Sequence, residues 1–279
     1  MTIMKIMGGL RIPKSVKTIH EHTLYWTSIG WDVLRGDHSP GIYVLGYVKS
    51  GTNWLCHLLS GILEMPILEA WKVRLPVLHP CVYHTHRFIP LDSIRRRTIY
   101  IMRDGRDTLV SYYFHLIREQ GPQLRRAEQD IGRRLTAENI RENLPGFISY
   151  LQATRTSTAD WRTHIETWQR FREQYFTIRY EDLLTDAESE LIRAIQALTG
   201  RQPEAGQVRS VVQQQDFRTV TQRAPGHEDS NKFMRKGVQG DWRNHFSRSA
   251  ARKFNAYAGQ LLIDLGYESD PSWTEKVAD

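Results

Sequence analysis

Residues 43–54 of this chain read YVLGYVKSGTNW, an apolar run that passes into a small cationic turn bearing hydroxyl groups. The run predicts a buried strand, and the amphipathic segment that follows the turn predicts a helix. Gly51 lets backbone amides approach an anion, and the positive end of the helix points to the same place. Lys49 adds a mobile charge, and Ser50 and Thr52 add hydroxyl donors. The segment therefore predicts a P-loop-like phosphate-binding turn.

This turn differs in pattern from the loop of the nucleoside triphosphatases. Their G-x-x-x-x-G-K-[ST] loop places lysine directly after the last glycine, whereas Lys49 comes two residues before Gly51. A P-loop nucleotide kinase or hydrolase remains an alternative, in which Asp104, after the apolar run 98–102, would hold magnesium. Magnesium dependence separates the two functions, because the kinase needs the metal in its site.

Length and composition are those of a globular protein. The 279 residues can bury a full core, and we expect a single α/β domain over residues 1–279. Apolar residues make up 40% of the chain, and no run approaches the roughly 18 apolar residues of a membrane span. The N-terminus shows no signal-peptide pattern, and Cys56 and Cys81 are the two cysteines. We therefore expect a cytoplasmic protein without a disulfide framework.

The net charge of +7 indicates an anionic partner, and nucleic acid, acidic lipid and a phosphorylated nucleotide all fit it. The position of the cations narrows the choice. Arg103 and Arg106 follow a predicted strand, and Arg235 and Lys236 stand beside a glycine. Cations at strand ends and glycine turns suit a small anionic ligand better than a long duplex. We therefore expect neither nucleic acid nor a membrane as the partner.

Short apolar runs alternate with longer amphipathic segments along the chain. This alternation predicts an α/β fold with a central parallel sheet and flanking helices, in which ligands gather beyond the carboxyl ends of the strands. The polar stretch 200–240 is predicted to be largely loop. The strand and helix segments are 42–47 then 54–64, 82–85, 98–102 then 108–117, and 176–180 then 187–198.

Two further segments carry cations suited to phosphate. In residues 99–114, Arg103 ends a strand and Ser111 follows about two helical turns later, so both meet one phosphate only if the strand end folds back over the helix. In FMRKGVQGDWRN, residues 233–244, Arg235 and Lys236 precede glycines in a predicted loop. Each segment taken singly also has an interpretation without phosphate. Arg103 could pair with a neighbouring acid, and Arg235 and Lys236 could be a solvated charge pair in a turn.

A last segment, residues 83–90, contains two histidines. On a strand, His84 and His86 point to the same side, which suits a metal pair or one catalytic histidine with a neighbour. A third ligand at recognisable spacing is missing, so the sequence does not favour a metal site.

Together these segments resemble the cytosolic sulfotransferase family, whose donor is 3′-phosphoadenosine 5′-phosphosulfate (PAPS). The family motif P-K-S-G-T-[TN]-W is matched by residues 48–54 with the proline replaced, and F-x-R-K-G-x-x-G-D-W-[KR]-N by residues 233–244. The motif R-x-P-x-D-x-x-x-S-Y is matched by Arg103, Asp107, Ser111 and Tyr112. The segments K-T-H and Y-E-D-[LM] align with Thr85-His86 and with residues 180–183.

The resemblance implies in-line transfer of a sulfuryl group from PAPS to a hydroxyl or amine of a small-molecule acceptor, releasing adenosine 3′,5′-bisphosphate (PAP). It implies His86 as the general base and Lys49 as the group that stabilises charge on the bridging oxygen, so that no metal is required. Trp54 would stack on adenine, with Phe217 and Tyr180 beside it, although both could instead be packing residues. The 3′-phosphate would be held by Arg103, Ser111, Arg235, Lys236 and Gly237. The implied nucleotide-binding residues are, in full, Lys49, Ser50, Gly51, Thr52, Asn53, Trp54, Arg103, Ser111, Tyr180, Phe217, Phe233, Met234, Arg235, Lys236 and Gly237.

Three departures from the family pattern carry expectations of their own. His84 replaces the lysine two residues before the catalytic histidine, which removes a fixed charge. Val48 replaces the loop proline and removes a fixed φ angle. The family's dimerisation segment K-x-x-x-T-V-x-x-x-E has Arg243, Ser247, Arg248 and Arg252 in its places, so we expect a monomer or a dimer that does not use this segment.

The acceptor site is the least determined part. Acceptor pockets in this family are built from variable loops, and aromatic wall residues would suit a flat or apolar small molecule. Some of these aromatics could equally belong to the core. A non-enzymatic phosphate-binding module is the further alternative, and it leaves His86 beside the turn unexplained. The candidate wall residues are Tyr25, Trp26, Trp31, Trp71, Phe88 and Tyr113.

Overall fold

The computed structural model describes residues 14–34, 41–69, 79–154 and 160–278, with side chains from residue 23 onward. Its centre is a parallel five-stranded sheet of order β2-β3-β1-β4-β5. The predicted α/β class, a parallel sheet with flanking helices, is confirmed. The strands are β1 (Ile42–Gly46), β2 (Ile67–Glu69), β3 (Val82–Thr85), β4 (Thr98–Met102) and β5 (Phe176–Arg179).

Helices cover both faces of the sheet. Short 3₁₀ helices add to them at Arg172–Gln174, Asp241–Asn244 and Pro271–Lys276. None of the described helices is long and apolar enough to cross a membrane. The α-helices are α1 (Lys14–Leu34), α2 (Thr52–Leu63), α3 (Asp92–Arg95), α4 (Gly105–Glu119), α5 (Pro122–Ile131), α6 (Ile140–Thr154), α7 (Trp161–Arg170), α8 (Tyr180–Thr185), α9 (Ala187–Thr199), α10 (Ala205–Gln214), α11 (Phe217–Thr221) and α12 (Arg248–Asp264).

Strand β1 is buried along its whole length because its side chains enter apolar layers on both faces of the sheet. Val44 packs in the layer that contains Leu58 of α2. Leu45 packs in the opposite layer, which contains Tyr100 of β4 and Val110 of α4. A parallel strand covered on both faces carries a continuous apolar run, and this explains the lack of polar alternation in residues 42–46.

The strand order opens a crevice at the carboxyl end of β1. The chain pairs β1 with β3 on one side and with β4 on the other, and side chains at such a switch point can surround a ligand. The residues that follow the strands are the turn 47–51, His86, Arg103 and Tyr180. Tyr180 begins α8, so its expected place at the end of a strand was wrong by one residue. The stretch 200–240 contains α10 and α11, and it is irregular mainly at residues 200–204 and after Thr221.

Candidate active site

Two residues of the turn after β1, Lys49 and Gly51, have a left-handed backbone conformation that only some residue types adopt easily. Gly51, with φ of +96°, caps the N-terminus of α2, and a Cβ at this position would lie 2.6 Å from the ring of Tyr180. Glycine is thus required for both conformation and space. Lys49 also has a positive φ, +67°, which is uncommon for a residue with a side chain. The turn is therefore held in a strained form at the point where the sequence predicts phosphate binding.

A cavity of about 920 Å³ lies at the carboxyl ends of β1, β3, β4 and β5, and it brings the four sequence segments together. Of the predicted site residues, Ser50 is the exception, since its side chain is buried and does not line the cavity. The predicted residues that do line it are Lys49, Gly51, Thr52, Asn53, Trp54, His86, Arg103, Ser111, Tyr180, Phe217, Phe233, Met234, Arg235, Lys236 and Gly237.

His86 has its ring fixed in one tautomer. Its Nδ1 lies 2.7 Å from the carbonyl oxygen of Gly46. Because a carbonyl only accepts, Nδ1 carries the proton and Nε2 is the basic nitrogen. Burial lowers the pKa of His86 below its ordinary value, the Gly46 carbonyl opposes this, and nearby Lys49 lowers it further. His86 is therefore a neutral imidazole with a proton-accepting nitrogen at neutral pH.

Lys49 is the cationic residue of the turn, and it loses its proton more easily than an ordinary lysine. Burial lowers its pKa to about 7, and the charges of Arg118 and Arg103 add to the effect. Its Nζ lies 4.2 Å from the ring centre of Phe233, which gives a cation–π contact. An anion bound beside Lys49 would favour its charged form.

Arg103 links three parts of the site. Its Nη1 donates to the carbonyl of Lys49 at 3.2 Å, and its Nη2 donates to the carbonyl of Val238 at 3.3 Å. The guanidinium also lies 4.1 Å from the ring centre of Tyr180. Within the described part of the chain, its buried Nε has no hydrogen-bond partner. The arginine therefore holds the turn against the loop 233–240.

The loop 233–240 is attached to α4 by a carboxylate whose structural role was not predicted. Asp107 accepts from the backbone amides of Gly240 at 2.6 Å and Trp242 at 2.9 Å. Burial raises the pKa of Asp107, while Arg103 acts in the opposite direction. Asp107, the aspartate of the R-x-P-x-D-x-x-x-S-Y motif, thus holds the segment 233–244 in place through a contact that spans 133 residues of chain.

Arg235 and Lys236 are oriented by acids of their own segment. Asp241 pairs with both: it contacts Arg235 and lies 2.5 Å from Nζ of Lys236. Glu228 contacts Arg235 at 2.8 Å. Burial raises the pKa of Asp241, but hydrogen bonding from His245 and the two cations outweigh it and hold that pKa well below its ordinary value. The alternative of a solvated charge pair does not describe this loop, because both cations are largely buried against carboxylates.

The opposite end of the cavity is aromatic. Trp54 donates through Nε1 to the carbonyl of Gln215 at 3.1 Å, and its ring meets that of Tyr180 edge-on at 5.9 Å. Gly237 has φ of +66°, and a Cβ there would lie 2.3 Å from the ring of Phe217. This close approach makes Phe217 and Gly237 one continuous wall.

None of the candidate acceptor-wall aromatics that the structure describes lines this cavity. Tyr25 and Tyr113 belong to the core, with hydroxyls bonded to the carbonyls of His84 and Thr136. Phe88 packs against His164, Trp26 and Trp31 lie at the surface, and Trp71 is outside the described residues. Sequence reasoning missed Tyr112 and His115 of α4, which do line the cavity.

His84, which stands in the place of the family lysine, also lines the cavity. Its Nε2 lies 2.9 Å from Oγ1 of Thr52, and its ring is edge-on to that of His86 with centres 4.8 Å apart. The two histidines therefore face the same space, as their strand spacing predicts. Among the described residues, no group of three or more His, Cys, Asp or Glu side chains could hold a metal ion.

The family model for the sulfotransferase domain matches residues 79–266, so the chain belongs to the sulfotransferase family. The predicted enzyme class, a PAPS-dependent sulfotransferase, is confirmed with it. Mouse sulfotransferase 1E1 is 22% identical over 87% of this chain and 89% of its own length. Human sulfotransferase 2A1 is 25% identical over 82% of this chain and 87% of its own length.

Two solved structures share the fold. Mouse sulfotransferase SULT7A1, complexed with PAP, superimposes with a TM-score of 0.58 at 22% identity over 81% of this chain and 86% of its own. A retinol dehydratase in complex with androsterone and the inactive cofactor PAP gives 0.57 at 15% identity over 80% and 81%. At these identities the match concerns the architecture.

Proposed function

We propose that this enzyme, acting as a single domain, transfers a sulfuryl group from PAPS to a hydroxyl or amine of a small-molecule acceptor, with His86 as the general base. One observation carries the proposal: a histidine whose Nδ1 is held by the Gly46 carbonyl, so that Nε2 is its basic nitrogen, lines the same cavity as Lys49 and the cations of two distant segments. A phosphate-binding module alone has no use for such a histidine.

The cavity has the groups that the donor nucleotide needs. Lys49, Thr52, Asn53 and the amides before α2 suit the 5′-phosphate. Arg103, Ser111, Arg235, Lys236 and the Gly237 amide suit the 3′-phosphate. Trp54, Phe217 and Tyr180 offer aromatic surface for the adenine. Phe233 and Met234 complete the wall from the loop that carries the 3′-phosphate cations.

The chemistry divides between two side chains. Bound PAPS supplies the sulfuryl group, which leaves its bridging phosphate oxygen as a bond forms to the acceptor oxygen or nitrogen. Nε2 of His86 takes the proton of that acceptor atom. The ammonium of Lys49 stabilises the negative charge that grows on the bridging oxygen, so the step needs no metal. Tyr112 and His115 of α4 also line the cavity.

The first test of this proposal is nucleotide binding without metal. In the presence of a chelator, calorimetry should show tight binding of PAP, weaker binding of 5′-AMP that lacks the 3′-phosphate, and no requirement for magnesium. The expected preference arises because Arg103, Arg235 and Lys236 can contact only a nucleotide with the second phosphate. A preference for ATP, or binding that requires magnesium, would favour the kinase alternative.

Donor binding should be coupled to protonation of Lys49. Because its pKa is about 7 in the free protein, Lys49 is largely neutral at pH 8, and bound phosphate favours the charged form. PAP binding at pH 8 should therefore take up as much as about one proton, and affinity should fall as pH rises above 7. Titrations in buffers of different ionisation enthalpy measure the uptake. Equal uptake by wild type and Lys49→Met would contradict the assignment.

Two expectations about the whole protein stay part of the proposal: a cytoplasmic location, and a monomer or a dimer that does not use the usual segment. Arg243 lies in a 3₁₀ helix, and Ser247, Arg248 and Arg252 form the start of α12. Cations at these places would oppose pairing through a segment whose family pattern ends in glutamate. Sedimentation of wild type and Arg252→Glu tests this, since the acidic variant should gain any dimer that the segment can form.

A further inference from the structure

Beneath His86 lies a chain of two buried polar side chains, Tyr100 and His164. Resting on the proposed role of His86, we propose that His164, oriented by Tyr100, is a positioning residue that holds the backbone of the general base. His164 belongs to α7 and Tyr100 to β4, and both are fully buried. Neither residue lines the cavity, so any effect of these two side chains on the reaction is indirect.

The direction of each hydrogen bond follows from the groups present. Nε2 of His164 lies 3.3 Å from the carbonyl oxygen of His86, and since that oxygen only accepts, Nε2 carries the proton. Nδ1 of His164 is then the acceptor, and the Tyr100 hydroxyl, 2.8 Å away, donates to it. Tyr100 thereby fixes the tautomer in which His164 can donate to His86.

The surroundings of His164 keep this arrangement neutral. Its ring contacts Phe88 at 4.7 Å, Tyr100 at 5.6 Å and Tyr47 edge-on at 5.8 Å between centres. Burial lowers the pKa of His164 to about 3, and the nearby His86 contributes in the same direction. His164 is therefore a permanent hydrogen-bond donor rather than a group that exchanges protons with His86.

His86 needs such support because it lies just beyond β3, where the strand pairing has ended. The Gly46 carbonyl holds its ring from β1, and His164 holds its backbone from α7. Two contacts from separate elements fix both the place of Nε2 and the direction of its lone pair. A misplacement of about 1 Å at a reacting group can cost on the order of 100-fold in rate.

A purely structural role explains this pair less well. Burying a hydroxyl and an imidazole costs free energy that the hydrogen bonds only offset, whereas apolar side chains of similar size would fill the same aromatic layer without that cost. The hydrogen bond from His164 to the backbone of His86, the proposed base, therefore explains the polar side chains at these positions better than packing does.

The experiment compares four variants of the full-length protein. His164→Leu removes the donor at similar volume, and Tyr100→Phe removes the hydroxyl that orients it. His164→Gln restores an amide donor near the position of Nε2. Tyr175→Phe is the matched control, because Tyr175 packs against Tyr100 and Phe88 in the same cluster and lies outside the hydrogen-bond chain. Measured quantities are kcat, both KM values, PAP affinity and the ¹⁵N resonances of the His86 ring, identified by their loss in His86→Asn.

We expect His164→Leu to lower kcat about 10- to 100-fold with KM for PAPS and PAP affinity nearly unchanged. Tyr100→Phe should have a smaller effect in the same direction, and His164→Gln should recover much of the loss. The His86 resonances should shift in His164→Leu and Tyr100→Phe but not in Tyr175→Phe.

The proposal is overturned if kcat of His164→Leu stays at the wild-type level, or if Tyr175→Phe loses as much as Tyr100→Phe. It is also overturned if PAP affinity falls in step with kcat, since that indicates a general loss of structure. Failure of the proposed function has a different signature: the wild type itself then transfers no sulfuryl group. In that case the resonances still decide whether His164 orients His86.

Discussion

Replacing His86 with asparagine is expected to lower kcat for sulfuryl transfer by at least about 100-fold, within the range usual for loss of a general base. PAP affinity should remain within about twofold of wild type. The reason is geometric. The proposed proton acceptor is Nε2, while the ring's other nitrogen is occupied by the Gly46 carbonyl and the phosphate-binding groups come from other segments. Steady-state kinetics and calorimetry on the same preparation measure the two effects.

The control for this variant is His227→Asn, an exposed histidine in the loop after α11 that does not line the cavity. It should behave as wild type in both measurements. If His86→Asn instead loses nucleotide affinity and keeps its turnover, His86 is a binding residue and the assigned role is wrong.

The pH dependence of the wild type provides a further check on His86. Burial lowers its pKa below the ordinary value of 6.5, and proximity to Lys49 acts in the same direction. Its basic form therefore persists to lower pH, and the acid limb of the kcat/KM profile should be centred below pH 6.5. An acid limb centred above 6.5 would mean that a group other than His86 controls the rate.

Local patterns were sufficient to predict the cavity-facing turn and four of the five described strands, whereas the short edge strand β2 was not predicted. The continuous apolar run of β1 is typical of a parallel strand that is covered on both faces of the sheet. The end of the apolar run then marks the end of the strand. Lys49, His86 and Arg103 are each within a few residues of a strand end, so a correct strand assignment places them at one edge of the sheet.

Contacts between distant segments could not be predicted in the same way. Asp107 accepts hydrogen bonds from Gly240 and Trp242, and His164 donates one to His86. These bonds join residues 78 or more positions apart, and no local pattern encodes such a pairing. The aromatic residues illustrate the same limit. Tyr112 lines the cavity and Tyr113 is buried, although they are neighbours of identical type, because one residue along a helix changes the face by about 100°.

Replacing Arg235 with methionine is expected to weaken PAP binding about 10- to 100-fold, the value of a lost charge-assisted hydrogen bond of roughly 1.5–3 kcal/mol. Binding of 5′-AMP should change little, because Arg235 is proposed to contact the 3′-phosphate. The guanidinium is already oriented by Asp241 and Glu228, so little side-chain freedom is lost when the phosphate arrives.

The matched control is Arg243→Met, which removes the same charge from an exposed arginine eight positions further along the chain that stacks on Trp242 outside the cavity. If the loss of affinity for PAP came from net charge alone, both variants would show it equally, and it would shrink equally as salt is raised. A loss confined to Arg235→Met and to the nucleotide with two phosphates identifies a direct contact. Equal losses for PAP and 5′-AMP would remove Arg235 from the 3′-phosphate site and leave Arg103 and Lys236 as its cations.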